Sequence, residues 1–349
     1  MLPGLFVAAL FAVVIWRQPD RPPQQLEWQL SGPTMGTVYT IKGVVATDEK
    51  GPPSGLGQRV QAVLDEINHS MSTYLEDSEI SAFNRHELGP FPASPALLEV
   101  VTEAQRVAEL SGGAFDITVA PLVDAWGFGP AGAGEAPDDA LVERLMQGVG
   151  YTLLGVDRER GVLVKADPRL HIDLSAIAKG FAVDRVAAVL STEGVTDFMV
   201  EIGGEVAARG RNGRGQVWRI GVERPEDEGR AVHTVVALAD TALATSGDYR
   251  NFRLHDGVRL SHTIDPRLGR PITHDLASVS VVHPSCMTAD ALATAFEVLG
   301  PGPGLELADR LDIAALFLVR EEGRGFREVR SRAWSARVEM NPPVVDVTQ

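Results

Sequence analysis

Asp197–Glu223 reads DFMVEIGGEVAARGRNGRGQVWRIGVE. Three β-prone runs, Asp197–Ile202, Glu205–Arg209 and Val217–Glu223, are separated by Gly-rich turns too short to hold a crossover helix. Strands joined in this way lie antiparallel. Working outward, Ser175 to about Leu190 has helical spacing, with short strands before it at Val162–Lys165 and Leu170–Asp173. Further strands are expected at Val232–Ala239, Ser278–His283 and Asp312–Val319, and a helix from Thr288 to Leu299 closed by Gly300-Pro301. Towards the N-terminus, Glu27–Gly43 alternates around a turn expected at Gly32-Pro33. Helices are expected from Gln58 to Met71, from Pro95 to Leu110, and from Pro137 to about Gly148. Helices and strands mix without a βαβ rhythm, so the chain reads as α+β with mostly antiparallel sheets rather than as a doubly wound sheet.

The 349 residues carry 32 basic and 47 acidic side chains, a net charge of −15 that leaves no basic surface for nucleic acid. With 44% apolar residues the chain can bury a real core. The single cysteine, Cys286, excludes an internal disulfide framework and a CxxC zinc site. Leu2–Trp16 is an uncharged apolar run of fifteen, short for a membrane span and suited to a signal or anchor. It is followed by Arg17 and a Pro/Gln-rich linker. Residues 1–25 are therefore read as signal or anchor plus linker, 26–340 as the folded body, and 341–349 as a tail. That division places the body outside the cytoplasm.

Several motifs fail. Gly127-x-Gly129-x-x-Gly132 matches a dinucleotide fingerprint by letters, but it follows no strand, opens no helix and contains Pro130. No P-loop, GxSxG elbow or HExxH zinc motif occurs. Two features survive. Asp290 and Thr294, spaced i, i+4 among alanines, put a carboxylate and a hydroxyl on one helix face, where a hard cation could approach or where the helix simply packs. Asp173–Gly180 turns a corner into a helix with Lys179 in its first turns, which suits a phosphate or an ordinary Asp or Ser N-cap. Ser246-Gly247-Asp248-Tyr249 is a polar turn, and in His262-x-x-Asp265 a histidine lies close to a carboxylate.

Taken in order, these pieces resemble the ApbE family of FAD:protein FMN transferases. The matching stretches are Met35-Gly36-Thr37, Met71–Tyr74, Ser78–Asn84, Gly113–Thr118, Pro121–Gly129, Asp173–Gly180, Ile202–Glu205, Ser246–Asn251, His262–Pro266 and Ala289–Ala291. The resemblance implies an ApbE-like α+β fold, with residues 26–340 as one large catalytic domain of two lobes, and Mg²⁺-dependent cleavage of FAD. The FMN half is esterified to a threonine or serine hydroxyl of a partner protein, and AMP leaves. It places FAD contacts on Met35, Tyr74, Ala114, Phe115, Asp116, Asp173, Lys179 and Ile264. The implied metal ligands are Ala176 through its carbonyl, Asp290 and Thr294. His262 matches a histidine needed for transfer, and either it or Asp265 could take the acceptor's proton. Implied partners are flavoprotein subunits of respiratory electron-transport complexes, reached from the periplasmic side of the inner membrane. Two readings with other chemistry stay open: a metal-dependent FAD pyrophosphatase and a non-catalytic FAD-binding protein. The chain departs from the family pattern at Ser175, where glycine is common, at Glu201, where asparagine is usual, and in having no N-terminal cysteine for a lipid.

Overall fold

The computed structural model describes residues 26–45, 51–130, 132, 135–226, 231–249, 252–255, 258–323 and 325–338. The apolar segment and linker of residues 1–25, the tail 341–349 and the pair Arg250-Asn251 lie outside the described residues. Among the described residues no helix is long and apolar enough to cross a membrane.

Eight strands form one antiparallel sheet whose spatial order is also its chain order: Leu26–Thr34, Thr37–Val45, Phe198–Ile202, Glu205–Arg209, Thr241–Gly247, Leu276–His283, Ala314–Glu321 and Gly325–Arg330. The α+β expectation holds, and no parallel crossover enters this sheet. Both faces are covered, which is why its later strands read as near-continuous apolar runs. Along Ala314–Glu321, Ala315, Phe317 and Val319 join the larger core, while Ala314, Leu316 and Leu318 join a second one that includes Trp218 and Trp334. The larger core also buries the inner faces of helices Leu56–Met71, Pro95–Ser111, Ala178–Thr192 and Cys286–Leu299. A small satellite cluster of Leu122, Trp126, Val142 and Ile264 supports the loops beside the sheet.

Three sequence expectations are corrected. The first hairpin turns at Met35-Gly36, not at Gly32-Pro33, with Thr34 paired to Thr37. Both turn residues have positive φ, 46° at Met35 and 70° at Gly36, as a two-residue hairpin twisted to match its strands demands. Pro33 sits instead inside the outermost strand, where a missing N–H is tolerated. Leu170–Asp173 is not a strand; only His171 makes an isolated bridge, to Val119. The helix expected from Ser175 begins at Ala178, because residues 175–177 form a turn held by Leu174 O, which accepts from the N–H groups of Ile177 and Ala178.

Candidate active site

The two strands at the middle of the sheet, Glu205–Arg209 and Thr241–Gly247, present Glu205 and Ser246 to the face on which helices Ala178–Thr192 and Cys286–Leu299 pack. Lys179 is the second residue of the first helix, whose N-terminus has no side-chain cap. Neither alternative N-cap is realised there: Asp173 turns back to accept from the Ser175 N–H at 2.6 Å. The open helix end is met from outside by Asp290, whose Oδ2 accepts from the Gly180 N–H at 3.0 Å. Close approach of the two helices makes this possible. At Gly180 a Cβ would lie 2.4 Å from the carbonyl oxygen of Cys286, so only glycine fits. Asp184, one turn further along, binds the other helix's start, accepting from Ser285 Oγ at 2.8 Å and from the N–H groups of Cys286 and Met287 at 2.9 and 3.0 Å.

Lys179 Nζ lies 2.7 Å from Glu205 Oε1. Burial would lower the lysine's pKa, but Glu205 and Asp290 beside it hold the ammonium above its ordinary range. Glu205 is 2% exposed and its second oxygen has no hydrogen-bond partner among the described residues. Burial, with Asp290 adding and Lys179 opposing, pushes its carboxyl up to about 8. Burial likewise raises Asp290, against the pull of Lys179 and the Gly180 N–H. One turn on, Thr294 Oγ1 is 3.0 Å from Ser246 Oγ. Two desolvated carboxyls, a hydroxyl and one cation form an oxygen-rich set that gains from a hard divalent ion. Among the described residues no group of three or more His, Cys, Asp or Glu forms a metal cage, so any ion here depends on neutral oxygens and on its substrate.

These groups face one cleft of about 1240 Å³. Of the residues anticipated from sequence, Tyr74, Ala114, Phe115, Asp116, Asp173, Ala176, Lys179, His262, Ile264, Asp290 and Thr294 all line it. Tyr74 is 68% exposed and stands at the mouth, whereas Phe115 is buried in the wall. The Asp116 carboxylate is already held by the Thr118 N–H and hydroxyl and by the Tyr151 N–H, so it shapes the wall. The His262 ring meets Phe128 edge-on at 6.3 Å. Two anticipated residues do not line the cleft. Met35 packs against the core from the hairpin turn, leaving Thr37 and Val38 at the cleft. Asp265 is 5% exposed and accepts from Arg267 through both oxygens, at 2.7 and 2.9 Å. Sequence reasoning gave no role to Glu205, Gly180 or Asp184. Glu205, following Gly203-Gly204 at the head of a strand, had a visible signal; Asp184 had none.

A carboxylate and an ammonium at one helix N-terminus, with a hydroxyl in the same cleft, suit a phosphate-bearing ligand. Residues 35–317 match the ApbE family, to which this chain belongs. It is 41% identical over 333 residues to the FAD:protein FMN transferase of Vibrio cholerae, covering 94% of this chain and 97% of that one. The protein of the same name from Escherichia coli K12 is 36% identical, with 92% and 93% covered. The solved structure of the flavin transferase ApbE from Vibrio cholerae superposes with a TM-score of 0.82 at 42% identity, covering 89% of this chain and 99% of that one. The apo flavinyl transferase ApbE of Pseudomonas stutzeri gives 0.81 at 40%, covering 90% and 97%.

Proposed function

We propose that this chain transfers the FMN moiety of FAD to a hydroxyl of a partner protein and releases AMP. The reading is carried by the convergence of Lys179, Glu205, Asp290, Thr294 and His262 on one cleft in a chain of the ApbE family. The acceptor oxygen attacks the FMN phosphorus, the bond joining the two phosphates breaks, and AMP carries away the electron pair. Lys179, at the positive end of its helix, draws the pyrophosphate in and offsets charge growing on its oxygens. His262 takes the hydroxyl proton, since the Asp265 carboxylate is engaged by Arg267 and turned from the cleft. Arg267 and Asp265 instead close the turn Asp265–Gly269 that follows the histidine's segment.

Asp290, Thr294 and the Ala176 carbonyl would hold Mg²⁺, and their hard-oxygen chemistry supports that choice over a softer metal. The ion supplies charge neutralisation at the pyrophosphate. Met35, Tyr74, Phe115, Asp173 and Ile264 would shape the room for FAD, Met35 through the hairpin turn. We read residues 26–340 as one catalytic domain held at the outer face of the inner membrane by the apolar segment Leu2–Trp16. The family resemblance supports flavoprotein subunits of respiratory complexes as acceptors. Incubating the purified chain with FAD, Mg²⁺ and an acceptor polypeptide tests the reading by mass spectrometry. An acceptor gain of one FMN, with AMP released, is the expected result. Free FMN with an unmodified acceptor would make it a hydrolase, and intact FAD would make it a binding protein.

A further inference from the structure

Helix Cys286–Leu299 carries two charged residues, Asp290 and Glu297, seven positions apart. Two turns place them on one face with Thr294 between, Glu297 about 10 Å further along the axis. Glu297 lines the same cleft and is 0% exposed. Neither of its carboxyl oxygens has a hydrogen-bond partner among the described residues. Arg320, the cation whose charge reaches it, makes its hydrogen bonds elsewhere. Arg320 is bound to both oxygens of Asp248 and to the carbonyl of Leu276. A buried polar group left without a partner is destabilising, so one aimed into a ligand cleft points to the ligand as its partner.

We propose that Glu297 reads the hydrogen-bonding edge of one of the two ring systems of the dinucleotide, its carboxyl donating through O–H and accepting through C=O. This rests on the FAD reading given above. Burial and the Asp248 charge, against the pull of Arg320, push the group well above the ordinary glutamate range, and its place in the last turn, at the negative end of the helix, adds to the rise. A neutral carboxyl sets a donor beside an acceptor. Two edges in FAD match that pair: the N3–H and adjoining carbonyl of the isoalloxazine, and the N1 and amino group of adenine. Asp290 addresses the pyrophosphate, and Glu297, two turns away, is placed for a ring rather than for a phosphate.

Calorimetric titration of the full chain in EDTA, where no turnover intervenes, tests this with FAD, FMN and AMP as separate ligands. Glu297→Met, close in volume, is expected to weaken FAD binding about tenfold or more. Glu297→Gln, which keeps a donor and an acceptor, should stay within about threefold of the parent. The loss should recur with AMP alone or with FMN alone, and that arm identifies the ring. Unchanged binding of all three ligands by Glu297→Met overturns the proposal. So does an equal loss in Glu297→Gln, which would mark a charge-dependent role, or a loss on both arms, which would mark collapse of the pocket. A parent that cleaves FAD while Glu297→Met binds normally defeats this inference alone; a parent that leaves FAD intact defeats the underlying reading.

Discussion

Replacing Gly180 by alanine sets two physical rules against each other. Inside an α-helix alanine is favoured over glycine by about 1 kcal/mol, so propensity alone predicts a more stable protein. The structure predicts the opposite. The new Cβ would lie 2.4 Å from Cys286 O, 2.7 Å from Cys286 C and 2.8 Å from Asp290 Cβ. Two of those atoms are backbone, so no side-chain rotation relieves them, and ordinary contact requires the helices to part by about 1 Å. Overpacking of that kind costs about 1–3 kcal/mol, which outweighs the helical gain. The same movement stretches the 3.0 Å bond from the Gly180 N–H to Asp290 beyond hydrogen-bonding range and pulls the carboxylate away from Lys179.

The site should suffer more than the fold. A displacement of 1 Å in a positioned group costs about 10²-fold in rate, whereas a domain of this size loses only a few degrees of melting temperature per kcal/mol. Gly302 serves as the control, because a Cβ there meets nothing within 4 Å and its φ is −84°. We expect Gly302→Ala to match the parent in both melting temperature and FAD cleavage assayed with added Mg²⁺, while Gly180→Ala melts lower and cleaves FAD about 10²-fold more slowly. A Gly180→Ala protein that melts higher than the parent and keeps its rate would refute the claim that close helix contact sets the site.

Asp290→Asn keeps the shape and an oxygen for the Gly180 N–H but removes the charge. FAD cleavage should fall about 10²-fold or more while the melting curve barely moves, and normal turnover would remove Asp290 from the chemistry. Asp184→Ala strips three hydrogen bonds from the start of helix Cys286–Leu299 and should cost about 1–2 kcal/mol, read as a lower urea midpoint with unchanged slope. An unmoved midpoint would show that the packed helix needs no cap. Glu103 accepts from the Thr288 hydroxyl at 2.6 Å and pairs with Arg106, and together they hold its carboxyl below the ordinary range in spite of burial. A folded-state pKa lowered in this way stabilises fully above the ordinary glutamate value, and the contribution is lost as pH falls through the lowered one. Melting temperature should therefore drop more steeply on acidification in the parent than in Glu103→Gln; equal slopes would count against the pairing.

What the sequence disclosed, and what it hid, follows from how locally each feature is determined. Gly203-Gly204 between two apolar runs commits the chain to a hairpin within a few residues, so the antiparallel character of the sheet was legible. The Met35-Gly36 turn was not, because it requires a non-glycine residue at φ 46°, which no side-chain pattern announces, while Gly32-Pro33 looks like a turn and lies in a strand. Thr241–Gly247 went unread for another reason. In TALATSG two β-prone threonines are diluted by alanine, serine and glycine, so the strand signal is weak, yet the segment occupies the middle of the sheet, with helix Cys286–Leu299 packed across it. The same contact decides the site. Lys179, Glu205, Ser246 and Asp290 come from four distant stretches, and each stretch alone is equally consistent with a cap, a turn or a packed helix. Only when the chain lays successive strands side by side, and sets two helices close enough for Gly180 to touch Cys286, do the four become one electrostatic unit. Glu297 marks the limit of local reading. A single acid in Ala295-Phe296-Glu297-Val298 looks like a solvated position of an amphipathic helix, and its two-turn spacing from Asp290 becomes meaningful once the intervening face is seen to line a cleft.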